Sequence, residues 1–163
     1  MAQPSRNASS EKILNTKRIF FATTKTSMRR SLLQSERNAG LLTDVLRSLV
    51  AEHKFKLHDF VIMPDHIHLL FEVGADMTVE KAMQLVKGRF SFRLKKEHGY
   101  EGEVWQRGFS EVQVMDAQWM EKCRNYIAEN PVKAGLVSEA KKFPFCFDFL
   151  ARRKIETQGL KPT

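Results

Sequence analysis

The chain lacks the features that mark membrane, secreted and disulfide-stabilised proteins. Among its 163 residues, no apolar run approaches the ~20 that a membrane-spanning helix needs. Residues 1–17 contain no apolar stretch after their first charge, which argues against a secretory signal. The only two cysteines, Cys123 and Cys146, are far apart and in no metal-ligand spacing, so we expect free thiols in a reducing cytoplasm.

Acidic residues are scarce relative to basic ones. Asp and Glu number 19 against 27 Lys and Arg, which gives a net charge of +8. A basic domain of this size usually has an anionic partner, most often nucleic acid, although surplus lysine also keeps a protein soluble. The length favours one domain with a real core, and no internal repeat or low-complexity tract interrupts it.

The hydrophobic patterns, taken in order, predict a strand, a helix, a two-stranded hairpin, a helix, a strand and a final helix. Thr78 and Asp116 are suited to cap the second and third helices. Gly99 should stop the second helix, and Pro131 should end the third at or just before Asn130. The expected strands are residues 17–25, 54–63, 66–73 and 103–114, and the expected helices are about 35–52, 79–98 and 116–130.

This order, β-α-β-β-α-β followed by a helix, is the ferredoxin-like arrangement of an α+β protein. We expect a four-stranded antiparallel sheet with two helices on one face and the last helix on the other. Residues 18–150 would form this single domain, with a flexible leader at 1–17 and a basic mobile tail at 151–163.

The segment MPDHIHLLFE (63–72) places two of the five histidines one residue apart in an otherwise apolar strand. Because side chains alternate across a strand, His66 and His68 share one face, whereas Ile67 and Leu69 share the face toward the core. Such residues are roughly 6–7 Å apart at the backbone, which allows both imidazoles to bind one metal ion. Two ordinary hydrogen-bonded histidines are the alternative for an isolated His-x-His.

Tyr126 is one of only two tyrosines, and it lies on the helix expected to cross the face that carries the histidines. Asn130 follows one turn later on the same helical face, and its amide oxygen could be a third metal ligand. A phenol is a weak nucleophile until a base or cation favours phenolate, and a divalent ion also offsets charge on a phosphate. Together these groups suit phosphoryl transfer through a covalent phosphotyrosine, whereas Tyr126 alone is more simply a tyrosine packed at the sheet edge.

Four motifs give the sequence a resemblance to a known family. They are VIMPDHIHLLFE (61–72), MQLVKGRFSFRL (83–94), VWQRGF (104–109) and YIAENPVKAGLV (126–137). In this order and spacing the chain resembles the REP-associated tyrosine transposases, within the single-tyrosine HUH transposases that act on single-stranded DNA. The resemblance runs from about Lys17 to Phe147.

The resemblance implies that His66 and His68 are a metal-binding pair, that Tyr126 is the nucleophile and that Asn130 completes the metal shell. The wider class often has glutamine where this chain has Asn130. The implied activity is Mg²⁺- or Mn²⁺-dependent cleavage and rejoining of single-stranded DNA near hairpins, through a 5′-phosphotyrosine and a free 3′-hydroxyl. Relatives of this kind are monomers or homodimers, and we expect a cytoplasmic, bacterial-type protein that is nucleoid-associated when bound to DNA.

Several side chains are candidates for contacts with DNA. Cations on the second helix suit phosphates, although an ordinary solvated helix face is the alternative. Trp105 and Phe109 could stack on unpaired bases or lie in the core, and the core is favoured for Phe109. Gln106 and Arg107 alternate faces, so one of them should face the DNA. The expected DNA contacts are Lys87, Arg89, Arg93, Trp105, Arg107 and Lys133.

A non-catalytic RNA-binding module of the RRM type is the rival from another class, because it shares this strand order. The segment KGRFSF (87–92) resembles the aromatic signature of that module. Here, however, the segment lies inside a predicted helix, whereas the RRM aromatics lie on a central strand. A domesticated relative that binds hairpins without moving itself is the second rival.

Overall fold

The computed structural model describes residues 17–147. The expected leader at 1–17, apart from Lys17, and the expected tail at 151–163 lie outside the described residues. The elements occur in the predicted order and confirm the α+β class. They are β1 (Arg18–Lys25), α1 (Glu36–Ala51), β2 (Lys56–Met63), β3 (His66–Val73), α2 (Val79–His98), β4 (Ser110–Val114) and α3 (Ala117–Lys133), with short 3-10 turns at Ser27–Arg29 and Ala140–Lys142.

The four strands form one antiparallel sheet in the order β2-β3-β1-β4. Helices α1 and α2 cover one face, where Leu69 and Phe71 of β3 lie in the large apolar core. Helix α3 lies on the other face, over a smaller apolar cluster that includes Leu70 and Ile127. This confirms the predicted division of two helices and one. Within residues 17–147, no helix is long and apolar enough to cross a membrane.

The helix starts follow from local side-chain chemistry. Ser35, Thr78 and Asp116 cap the three helices, each accepting a hydrogen bond from the backbone N–H three residues later. Gly99 ends α2 with a left-handed φ of 65°, a conformation that costs glycine little. The expected caps and the expected stop of α2 are therefore confirmed.

The predicted end of the last helix is wrong, because α3 continues through Pro131 to Lys133. Proline lacks an N–H and so removes one helical hydrogen bond, but in the final turn the loss is limited to that bond. The N–H groups of Ala134 and Leu136 still bond to the carbonyls of Asn130 and Pro131. As a result Asn130 is fixed within regular helix, one turn beyond Tyr126.

The fourth strand is also shorter than predicted, since only its second half, Ser110–Val114, is a strand. Residues 103–109 are irregular, and Gly108 among them takes a positive φ of 78°. Of these residues only Trp105 forms a β-bridge, with Thr26, the residue directly after β1. The ammonium of Lys87 donates to the carbonyls of Gln106 and Gly108, at 2.9 and 2.7 Å. Lys87 therefore ties this segment to α2, while backbone bonds from Gln106 to Lys25 and from Ser27 to Val104 keep it beside the end of β1.

Candidate active site

The candidate site lies where α3 crosses the sheet face that carries the two histidines. The ring centroids of His68 and Tyr126 are 5.2 Å apart, and Nδ2 of Asn130 lies 3.4 Å from Nε2 of His68. The rings of His66 and His68 are 4.8 Å apart and nearly perpendicular. The fold therefore brings together the four residues that the sequence singled out from two distant segments.

His68 is the buried member of the pair, with 5% of its surface exposed. Its ring stacks on Phe21 at 5.4 Å, and its Nδ1 lies 2.7 Å from Oγ1 of Thr23. Burial, with a smaller contribution from His66, lowers the pKa of His68 to about 3. The ring is therefore neutral near pH 7, and a neutral imidazole keeps a lone pair that can bind a metal ion.

The hydrogen bonds also determine which nitrogen of each ring carries the proton. The amide N–H of Asn130 can only donate, so Nε2 of His68 accepts and Nδ1 donates to Thr23. Nδ1 of His66 lies 2.7 Å from Oδ1 of Asp65, and an ionised carboxylate can only accept. In their neutral forms, both rings therefore carry the lone pair on Nε2, the arrangement that hydrogen-bonded metal ligands use.

Asp65 is held in turn by Arg29, whose Nε donates to Oδ2 at 2.8 Å. Burial acts to raise the pKa of Asp65, but hydrogen bonds from His66 and Arg29 outweigh it and keep the pKa below its usual value. Met28 and Arg29 both have a φ of 54°, a left-handed conformation that is rare outside glycine and concentrated at functional sites. Neither charged residue was predicted from the sequence as part of the site. The position of Asp65 directly before His66 was a usable signal, whereas Arg29 gave none.

A metal ion here would need an amide ligand beside the two imidazoles. In the described part of the chain, no three His, Cys, Asp or Glu side chains converge in a way that could hold a metal ion. Asn130 is the adjacent oxygen donor, because a half-turn of its amide exchanges the NH₂ group for Oδ1. Two neutral imidazoles and one amide oxygen can serve a divalent ion.

Tyr126 is anchored by its ring and open at its hydroxyl. The ring stands edge-on to Phe21, with centroids 5.8 Å apart, and 48% of the residue is exposed. Among residues 17–147, no atom forms a hydrogen bond with the Tyr126 hydroxyl. Phe21, which the sequence analysis also missed, touches both His68 and Tyr126 and so fixes their relative position.

The cations predicted on α2 are not at this site, because α2 covers the opposite face of the sheet. Arg89 is ion-paired with Glu52, and Arg93 with Glu97. Lys87 is bonded to the backbone of the irregular segment, and burial lowers its pKa. Their contacts with DNA stay predictions, and they concern a different surface from the one that carries Tyr126.

The remaining predicted DNA contacts divide between core and surface. Trp105 packs 5.5 Å from Phe90, and its Nε1 donates to the carbonyl of Lys87 at 3.0 Å, which favours the core interpretation. Phe109 likewise packs against the core. Arg107 is exposed. Lys133 is exposed and paired with Glu129, at 3.4 Å, on the same helix as Tyr126.

The structure does not support the RNA-binding alternative, because the segment that resembles the RRM signature is helical. Residues 87–92 lie within α2, whereas RRM aromatics must lie on a central strand to stack on bases. The outward-facing ring of that segment, Phe92, is 63% exposed on a helix. The strand order is therefore shared with RRM domains, but the binding surface is not.

Sequence comparison places the chain among known transposases. Residues 18–130, which include both histidines, Tyr126 and Asn130, match the family described as Transposase IS200 like. A Haemophilus influenzae protein named "Putative REP-associated tyrosine transposase" is 27% identical over 132 residues. That similarity covers 71% of this chain and 75% of the relative.

Two solved structures share the fold. A REP-associated tyrosine transposase bound to a REP hairpin has a TM-score of 0.68 and 22% identity, over 89% of this chain and 82% of its own. A "putative transposase" from Deinococcus radiodurans has a TM-score of 0.54 and 21% identity, over 71% of this chain and 91% of its own. With the match over residues 18–130, the resemblance drawn from the four motifs is confirmed. The chain is a transposase that belongs to the IS200-like family and is similar, within it, to the REP-associated tyrosine transposases.

Proposed function

We propose that this transposase cleaves and rejoins single-stranded DNA beside hairpins, with Tyr126 as the nucleophile and Mg²⁺ or Mn²⁺ held by His66, His68 and Asn130. One observation carries the proposal. Helix α3 sets the phenol of Tyr126 against His68 and places Asn130 within 3.4 Å of the same imidazole. The similar transposase bound to a REP hairpin supports hairpin DNA as the class of substrate.

In the proposed cleavage, Oη of Tyr126 forms a bond to phosphorus and the bond from phosphorus to the 3′-oxygen breaks. The phenol loses its proton, and the departing 3′-oxygen takes one up, so the products are a 5′-phosphotyrosine and a 3′-hydroxyl. Rejoining is the reverse displacement, in which a 3′-hydroxyl attacks the phosphotyrosine and releases Tyr126. Because one phosphodiester replaces another, no nucleotide cofactor is needed.

The residues around Tyr126 prepare the site for this reaction. Thr23 and Asp65 hold the two imidazoles with their Nε2 lone pairs available. Phe21 holds the ring of Tyr126 edge-on, so that its exposed hydroxyl can meet a phosphate that approaches from solvent. A divalent ion, when bound, polarises a phosphate oxygen and offsets the charge of the transition state.

The test is incubation of the protein with labelled, hairpin-containing single-stranded DNA and Mn²⁺, followed by separation under denaturing conditions. We expect a covalent protein–DNA adduct from the unsubstituted chain and none from Tyr126→Phe, which should still bind the DNA. Tyr100→Phe removes the only other tyrosine and should form the adduct normally. An adduct formed by Tyr126→Phe would refute the nucleophile, and tight binding without any adduct from the unsubstituted chain would favour the domesticated hairpin-binding alternative.

A further inference from the structure

The two tryptophans of this chain have opposite environments. Trp105 lies against the core, as described above, whereas Trp119 is 45% exposed near the start of α3. The ammonium of Lys122 lies 5.6 Å from the centroid of the Trp119 ring. An accessible indole beside a cation has the two properties that bind unpaired nucleic acid, a flat surface for a base and a charge for the phosphate.

Trp119 faces the same side of α3 as Tyr126. Seven residues are nearly two helical turns, so the two side chains differ by about 20° around the axis and about 10 Å along it. The buried side of α3 is defined by Ile127 and Pro131, about a third of a turn away from this row. Trp119 and Tyr126 therefore lie on the flank of α3, at the edge of its contact with the sheet, and not on the side that packs against the sheet.

The sheet beside this flank is open. Val112 of β4 is 50% exposed and pairs in register with Phe21, whose ring touches Tyr126. Lys25, in register with His66, is exposed on the same face. A DNA strand that reaches Tyr126 can therefore lie over the exposed Lys25 and Val112, with the flank of α3 as its wall.

We propose that Trp119, together with Lys122, is a stacking platform for an unpaired base of the DNA strand that Tyr126 attacks. The proposal rests on the proposed function, since it concerns the single-stranded substrate of that same site. A stacked strand rises 3.4 Å per nucleotide, so the axial offset of about 10 Å corresponds to about three nucleotides from the reacting phosphate. Because every base has a flat face, the platform contributes affinity and register with little preference for base identity.

The chain contains a matched control for this proposal. Phe92 on α2 is 63% exposed, and the ammonium of Lys96 lies 5.5 Å from its ring centroid. The same combination of exposed ring and cation is therefore present on the opposite side of the sheet, away from Tyr126. If any exposed ring beside a lysine bound DNA equally, Phe92 and Trp119 would contribute equally to the affinity for DNA. The proposal instead assigns the contact to the Trp119 ring and not to the Phe92 ring.

The test measures binding without cleavage, in the full chain carrying Tyr126→Phe. Fluorescence anisotropy of a labelled oligothymidylate of about 12 nucleotides gives the dissociation constant. We expect a further Trp119→Ala substitution to weaken binding by about 5- to 100-fold, whereas Trp119→Phe stays within about threefold of the parent because it keeps a stacking ring. Phe92→Ala should leave the affinity unchanged, and circular dichroism of each variant verifies that the fold is retained.

Unchanged affinity in Trp119→Ala, or an equal loss in Phe92→Ala, would overturn the proposal while leaving the assignment of Tyr126 intact. A loss in Trp119→Phe as large as in Trp119→Ala would also overturn it, because stacking would then not be the cause. Failure of the Tyr126→Phe parent itself to bind the oligothymidylate would also overturn the platform, which requires affinity for unpaired bases, but would leave the hairpin-containing substrate of the proposed function untouched.

Discussion

The two faces of the sheet are built for different purposes. Toward α1 and α2, β3 contributes Leu69 and Phe71 to a large apolar core, and the arginines on the outer side of α2 are paired with glutamates. Toward α3 the apolar cluster is small, a histidine is buried, and Tyr126 is half exposed. One strand, β3, places its odd-numbered residues in the large core and sets His66 and His68 on the face that carries Tyr126.

The difference shows what a buried polar side chain requires. Burying an imidazole costs free energy unless its nitrogens have partners. Both nitrogens of His68 have one, Thr23 from the neighbouring strand and Asn130 from α3. The face toward α3 therefore holds a neutral, oriented imidazole where the other face holds hydrocarbon. The two faces should therefore respond differently to substitution, one in activity and the other in stability.

Removal of a proposed metal ligand should have the largest effect on activity. We expect His68→Ala, or excess chelator, to reduce DNA cleavage by about a thousandfold or more, since a bound divalent ion contributes several kcal/mol to such transition states. His98→Ala, at the end of α2 on the other face, is the control and should cleave normally. Cleavage that persists undiminished in chelator would contradict the metal-dependent mechanism.

Truncation in the large core should affect stability instead of chemistry. Phe90 lies on the inner side of α2 and is fully buried. We expect Phe90→Ala to lower the free energy of unfolding by about 3–5 kcal/mol. Urea unfolding followed by circular dichroism measures this. At low temperature the folded fraction should still form the covalent adduct. A folded Phe90→Ala protein without adduct formation would show that the two faces are not separable.

Substitution of Asp65 should weaken metal binding without removing a ligand. Asp65→Asn can still hydrogen-bond but no longer favours the proton on Nδ1 of His66, and loss of such a partner typically costs 10- to 100-fold in metal affinity. Calorimetric titration of the DNA-free protein with Mn²⁺ measures this effect directly. Arg29→Lys, which keeps a charge near Asp65, should cost less. Equal Mn²⁺ affinity for Asp65→Asn and the unsubstituted chain would show that Asp65 does not contribute to metal binding through His66.

The choice of metal should matter modestly. Mg²⁺ prefers an all-oxygen shell, whereas the proposed donors include two imidazole nitrogens. We therefore expect half-maximal cleavage at a lower concentration of Mn²⁺ than of Mg²⁺, measured by titrating each ion into the same cleavage reaction. A clear preference for Mg²⁺ would indicate that the histidines are not both ligands.

The arginines of α2 should give the smallest effect on DNA binding. Because Arg89 is already paired with Glu52, we expect Arg89→Ala to leave the salt dependence of DNA binding unchanged. A direct phosphate contact would instead reduce the slope of affinity against salt by about one. A reduced slope would confirm the DNA contact of Arg89 that the sequence predicts.

Much of the fold and part of the site follow from local patterns. Strand alternation places His66 and His68 together, helical spacing pairs Tyr126 with Asn130, and each cap is a side chain three residues from its donor. These relations depend on neighbours in sequence, and the structure agrees with them. Of the strand predicted at 103–114, only Ser110–Val114 forms. The first half is irregular, since Gly108 takes a positive φ and Lys87, on a different element, bonds to the backbone of this segment.

The parts of the site that sequence reasoning missed depend on contacts between distant segments. Phe21 looked like any strand aromatic, and only the crossing of α3 brings Tyr126 against the ring that also stacks on His68. Arg29 meets Asp65 across 36 positions, and its left-handed backbone has no glycine to signal it. The net charge indicated a nucleic-acid partner, but could not show that the α2 arginines are paired within the protein.

Whether Tyr126 is the nucleophile is tested most directly by identifying the side chain to which the DNA becomes attached. The adduct formed with hairpin-containing single-stranded DNA and Mn²⁺ can be digested with nuclease and protease and analysed by mass spectrometry. We predict a single modified peptide, in which the phenolic oxygen of Tyr126 carries the 5′-phosphate of the cleaved strand. A nucleotide found on any other side chain, or attached through its 3′-phosphate, would contradict the mechanism built on Tyr126 and His68.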